Sequence, residues 1–226
     1  MGRRRRPTAA GVCVPAVLVA LVLASCAAAS TTTAADPDAF VGMLAGSTAD
    51  HDPVGSPEAL AEMSDLVVAG TISAVTGGRL WGRGEDDPAA NRSIVLNVTV
   101  TDVHVGTLPD GADGVVYVEL PSPGGVEAQV YEEHLPADLA GVFFLVPAGE
   151  PGETTPIQDS TAGRPEGQPL FRTTNPQGIV LGVGDQARRL LEGTQLGEAD
   201  LTQFLPDAER FPVAPGSTSE PDVPPG

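Results

Sequence analysis

SIVLNVTVTDVHV, Ser93 to Val105, is the most strongly patterned stretch of the chain, and its reading decides the fold. Ile94, Leu96, Val98 and Val100 alternate with Asn97, Thr99 and Thr101, the period-two pattern of a strand with one buried face. After Val100 the phase changes, and Val103 and Val105 become the apolar pair. A bulge near Asp102 accounts for the slip, because one extra residue turns every later side chain to the other face and bends the strand.

Strands stand on both sides of it. LVVAGTISAV (Leu66 to Val75) is short and β-branched, with Gly70 marking a bulge or sharp bend. VVYVEL (Val115 to Leu120) follows the turn cluster GTLPDGADG. LAGVFFLVPAG (Leu139 to Gly149) holds a continuous apolar run, expected as a fully buried strand. PLFRTT and GIVLGVG are expected to form a hairpin around NPQ, and VEAQVYEEHL reads equally as ragged strand or short helix. SPEALAEMSD, with Ser56 to cap and Pro57 at the first helical position, predicts one or two helical turns. QARRLLEG and GEADLTQFL are expected as further short helices. GGRLWGRGEDDPAANR (Gly77 to Arg92) and EPGETTPIQDSTAGRPEGQ are expected as loops. Short strands, many turns and one bent long strand predict a mainly β fold, a small barrel or sandwich with one or two short peripheral helices. The globular part is expected over 56–205, behind a small, polar, flexible tether over 26–55, with a Pro-rich disordered tail over 206–226.

The first 25 residues read as an export signal. MGRRRRP is basic, the following apolar run contains Pro15, and Leu23-Ala24-Ser25-Cys26 closes it. Leu-Ala-Ser-Cys resembles the bacterial lipobox. That resemblance implies cleavage between Ser25 and Cys26 and a diacylglyceryl group on the Cys26 sulfur, which places the protein on the outer face of a bacterial cell membrane. Each buried CH₂ of an acyl chain contributes about 0.8 kcal/mol, so two or three chains hold a domain firmly.

Charge narrows the partners. The formal net charge is −18, although Arg3 to Arg6 are basic. Removing those four of the 12 arginines leaves eight against 30 acids, a formal charge of −22. There is no lysine, and Ala, Gly, Pro and Val abound, which suggests GC-rich, actinobacterial-type coding. A chain this acidic argues against nucleic acid, whose phosphates are bound by displacing counterions with Lys and Arg. The expected partners are the membrane, through the lipid on Cys26, and an extracytoplasmic protein or envelope component. Cys13 and Cys26 are the two cysteines, so loss of the leader leaves no thiol for disulfide or metal in the barrel.

The series SDLVVAGTISAV, IVLNVTVTDVHVGTLPDG, VVYVEL, LAGVFFLVPAG and NPQGIVLG, spanning Ser64 to Val183, is similar to small secreted or lipid-anchored bacterial proteins of uncharacterised function. Its order also resembles the OB-like barrel of netrin-type domains and tissue inhibitors of metalloproteinases. The resemblance implies an OB-like fold and export, not a site. Val105-Gly106 stands where Lys-Gly is common in the pattern. The inhibitors present a mature cysteine to zinc, a role that a lipid-bearing Cys26 does not share.

Catalytic patterns are sparse. There is no G-x-S-x-G elbow and no H-E-x-x-H. His51, His104 and His134 are far apart, and no cofactor or metal is expected. Asp110 and Asp113 suggest a turn rather than a calcium loop, and the pairs Asp86-Asp87 and Glu132-Glu133 suggest solvated segments. Trp81, between Arg79 and Arg83 on a Gly-rich stretch, is either a partner contact formed with those two cations or an indole folded over a barrel mouth. The expected function is a non-catalytic binding or structural role at the cell surface. The alternatives are an exported hydrolase with a loop-built site, or a surface protein that binds divalent cations weakly.

Overall fold

The computed structural model describes residues 35–45, 51–149, 156–198 and 200–207. Ser25, Cys26 and the rest of the leader lie outside them, as does the tail from residue 208. The fold is mainly β. Three short helices are α1 (Pro37–Leu44), α2 (Pro57–Glu62) and α3 (Ala128–His134). Nine strands form one sheet: β1 (Leu66–Trp81), β2 (Asn91–Val105), β3 (Val115–Pro121), β4 (Leu139–Pro147), β5 (Ile157–Gln158), β6 (Leu170–Thr173), β7 (Ile179–Val183), β8 (Gln186–Arg189) and β9 (Gln195–Glu198).

The sheet closes on itself. β1 pairs antiparallel with β2 along one edge and with β4 along the other, from Leu66↔Leu145 to Ile72↔Leu139. β2 pairs antiparallel with β3, β3 parallel with β6, and β6 antiparallel with β4. The ring β1-β2-β3-β6-β4 is thereby complete, and α3 lies in the connection from β3 to β4. Closure removes the open edges that a small sheet would otherwise present. β7, β8 and β9 extend the sheet beyond β4, and β5 pairs with the far end of β1.

The bend in β2 lies where its phase slips. Ala69 faces Asp102 and Gly70 faces Val100, so Thr101 is the extra residue; Val103 returns to the core. Gly70 stands on the opposite strand at the same step, and a Cβ there would lie 2.5 Å from the Thr99 carbonyl oxygen. The two irregularities legible in the sequence are one corner of the barrel.

Ile94, Leu96 and Val98 of β2 meet Val116, Val118 and Leu120 of β3 inside the ring, with Ile72, Phe143 and Leu145. Val142 and Phe144 face the other way, onto Leu60 and Ala61 of α2. β4 is therefore covered on both faces, which is why its sequence is continuously apolar. Each such side chain contributes about 1.5–3 kcal/mol when fully buried.

Several expectations are corrected. The tether expected over 26–55 is interrupted by α1, capped by the Asp36 carboxylate accepting from Asp38 N–H at 3.0 Å. Phe40, Val41 and Leu44 of this helix are buried in the main core. Eight residues do not sustain a helix alone, so the apolar stripe is stabilised by the barrel it covers. The loop expected over Gly77–Arg92 shrinks to residues 82–90, because β1 runs to Trp81 and β2 starts at Asn91. β6 and β7 are not a hairpin. Both run antiparallel to β4 along the same edge, with residues 174–178 looped out between them. Thr174 N–H donates to Phe144 O and Phe144 N–H donates to Gly178 O, which pins both ends of the excursion. The helix expected at QARRLLEG is β8, which turns at Gly184 (φ +60°) to pair with β7; pairing overrides the helical propensity of its arginines. GEADLTQFL splits into the end of β9 and a 3₁₀ turn at Leu201–Phe204 capped by Asp200. VEAQVYEEHL resolves as α3, which buries Tyr131.

Candidate functional site

Outward-facing residues of β1, β2, β3 and β6 build one polar patch on the barrel wall. Gly78 brings β1 close to β2: a Cβ there would lie 2.3 Å from the Ser93 Oγ. The next residue, Arg79, is only 2 % exposed. Its Nε and Nη2 donate to the two carboxylate oxygens of Glu119 at 2.9 and 2.5 Å, a bidentate fork that matches the guanidinium plane. Ser93 Oγ lies 2.7 Å from Glu119 Oε1 and 3.0 Å from Arg79 O. Arg79 Nη1 donates to Gly149 O at 3.0 Å, tying the segment after β4 across the pair. A buried charge needs such complete pairing, since desolvation costs several kcal/mol per ion.

Trp81 stands two residues beyond Arg79 on the same side of β1. The Arg79 guanidinium carbon lies 5.1 Å from the indole centroid, a cation–π contact. Trp81 also lines a cavity of about 220 Å³ with Asn91, Ser93, Glu119, Leu120, Pro121 and Arg172. Arg172 faces Glu119 across the parallel β3–β6 pairing and is exposed. It forms no ion pair among the described residues. On the other side of the Arg79–Glu119 pair is a second cavity of about 540 Å³, lined by Arg79, Gly149, Ser160, Arg164 and Gln168 among others.

Two loops frame the wall. In the 82–90 loop, Asp87 accepts from Arg83 N–H at 3.1 Å and Ala89 N–H at 2.9 Å. These backbone donors, Ala89 first, lower the Asp87 pKa, with Arg83 adding a smaller pull. Arg92 bridges this loop to the other through Glu85 at 2.8 Å and Asp159 at 3.7 Å. The second loop is held against β1 by Thr76 Oγ1 donating to Gly163 O at 2.9 Å.

Of the three residues expected as partner contacts, Trp81 remains at the cavity and Arg83 lies in the framing loop. Arg79 is buried and paired with Glu119, and reaches the indole of Trp81 rather than the surface. Glu119, Ser93, Asn91 and Arg172 were not singled out in the sequence. The available signal was an acid in the outward phase of VVYVEL, where a second apolar residue would otherwise face the covering loop.

The histidines stay apart. His51 Nε2 is 2.9 Å from Glu192 Oε1. His134 Nδ1 is 2.8 Å from Val130 O at the end of α3. His104 lines a cavity of about 270 Å³ with Asp102, Thr71 and Thr202; burial lowers its pKa, opposed by Asp102. Glu132 accepts from Val75 N–H, and Glu133 accepts from Gln129 at 2.8 Å. Among the described residues no group of three or more His, Cys, Asp and Glu is placed to hold a metal, and no helix is long and apolar enough to cross a membrane.

Fold and site together define a closed, mainly β barrel carrying an aromatic and cationic cavity on its outer wall. Compared with known protein families, with curated proteins and with solved structures, the chain gives no match.

Proposed function

We propose that this chain is a bacterial lipoprotein whose OB-like barrel is held on the extracytoplasmic face of the membrane by acyl chains on Cys26, where it binds an envelope component without catalysis. The observation that carries the binding role is the cavity joining the Trp81 indole to the exposed Arg172 guanidinium, over an Arg79–Glu119 pair that is already neutralised. OB-type barrels use the wall of their second and third strands, between the loops after the first and fourth, to hold extended polymers. The cavity here is lined by the end of β1, by β2 and β3, and by Arg172 of β6, which supports reading it as such a wall site. A net charge of −18 disfavours nucleic acid as the polymer.

Two measurements test this reading. Mass spectrometry of the membrane-extracted protein is expected to show a diacylated Cys26 as the first residue; Cys26→Ser is expected to abolish both processing and membrane retention. Purified protein is expected to co-sediment with envelope preparations, and Trp81→Ala to lose most of that association. An unprocessed Met1 terminus defeats the anchor, and sedimentation unchanged by Trp81→Ala defeats the site.

A further inference from the structure

We infer that the Trp81 cavity takes a single sugar ring bearing a carboxylate, a uronate-type unit; this rests on the binding role proposed above. Size comes first. At about 220 Å³ the cavity is smaller than the roughly 300–1,000 Å³ of sites that enclose whole drug-sized molecules. It accommodates one ring, either free or as one unit of a chain running along the wall.

The lining asks for a two-faced ligand. Trp81, Leu120 and Pro121 offer apolar surface, with the indole as the flat element. Arg79 stacks on the indole at 5.1 Å but is not among the residues lining this cavity, where Trp81 itself is. A pyranose presents a patch of C–H groups on its face and hydroxyls on its edge. The Asn91 amide, both donor and acceptor, suits those hydroxyls.

Charge specifies the carboxylate. Arg79, Arg92, Arg188 and Arg189 each meet an acid, whereas Arg172 at this cavity meets none among the described residues. Glu119, the acid nearest to it in register, already has both oxygens engaged by Arg79. An exposed guanidinium without a carboxylate, in a chain with 30 acids, leaves its planar fork for an incoming one. Bidentate guanidinium–carboxylate pairing is also directional, which fixes the ring against the indole.

Trp81 is the single tryptophan, so its fluorescence reports on this cavity alone. The full-length protein in detergent is titrated with galacturonate, its oligomers, galactose and benzoate. Galacturonate is expected to give a saturable change, with galactose binding about tenfold more weakly or worse. Arg172→Gln is expected to reduce galacturonate to the galactose level with an unchanged melting temperature, and Arg172→Lys to recover part of the difference. Stronger binding by the oligomers assigns the ligand to a polymer; equal binding per ring assigns it to the free sugar acid. Equal affinities for galactose and galacturonate overturn the inference, as does preference for benzoate. Silence toward all sugars while envelope sedimentation still depends on Trp81 overturns the ligand class alone; loss of that dependence overturns the binding role as well.

Discussion

Gly78 and Ser93 are packed so closely across β1 and β2 that a Cβ on Gly78 would fall 2.3 Å from the Ser93 hydroxyl oxygen. That approach sets the Ser93 hydroxyl beside Glu119, which in turn grips Arg79. A glycine in a strand thus serves a buried ion pair rather than a turn.

Glu119→Gln keeps the shape of the side chain but leaves the Arg79 cation buried without a carboxylate. The expected loss is about 3–5 kcal/mol of unfolding free energy, read from urea titration. Replacing both partners together, Arg79→Met with Glu119→Leu, is expected to recover much of it. Equal stability of Glu119→Gln and the parent would show that the pair contributes nothing to the barrel.

Phe40 tests whether α1 belongs to the domain. It is 0 % exposed within the main core, and Phe40→Ala is expected to cost about 3–5 kcal/mol. Ala39→Ser, on the exposed side of the same helix, is expected to stay within about 0.5 kcal/mol. A tether would make the two substitutions indistinguishable by thermal melting.

Gly70→Ala places a methyl group 2.5 Å from Thr99 O and 2.9 Å from Val98 Cγ1. The barrel corner then has to open, at an expected cost of about 1–3 kcal/mol. Amide hydrogen exchange is expected to speed up in β2 around Val98 to Val100 before it changes in β4.

His104 couples stability to pH. Burial lowers its pKa below the usual 6.5, against the pull of Asp102. Above pH 6.5 both folded and unfolded chains hold it neutral. As pH falls below that value the unfolded chain takes up the proton first, so stability declines down through the lower folded-state pKa. His104→Gln is expected to flatten this part of the melting-temperature profile relative to the parent. Parallel profiles for the two proteins would remove His104 as a contributor.

What was legible locally was what local rules govern. Alternation marked the inner face of β2, the phase slip marked its bulge within one residue of Asp102, and the continuous run of β4 announced two covered faces. Ser56 and Pro57 marked the start of α2 for the same reason, since a cap depends on residues three positions away. The helix expected at QARRLLEG failed where propensity met an available strand edge, and the β6–β7 hairpin failed because both segments found β4 instead of each other.

By itself the amino-acid sequence determined the strand phases, the bulge, the acidic surface and the absence of lysine. Tertiary structure alone decided that α1 is core, that the sheet closes through β1 and β4, and that Arg79 pairs with a glutamate 40 positions away. The reason is physical. Periodicity records which face of an element avoids water, but a buried charge or a short apolar stripe is stable only with a partner, and no local pattern says which distant segment will supply it.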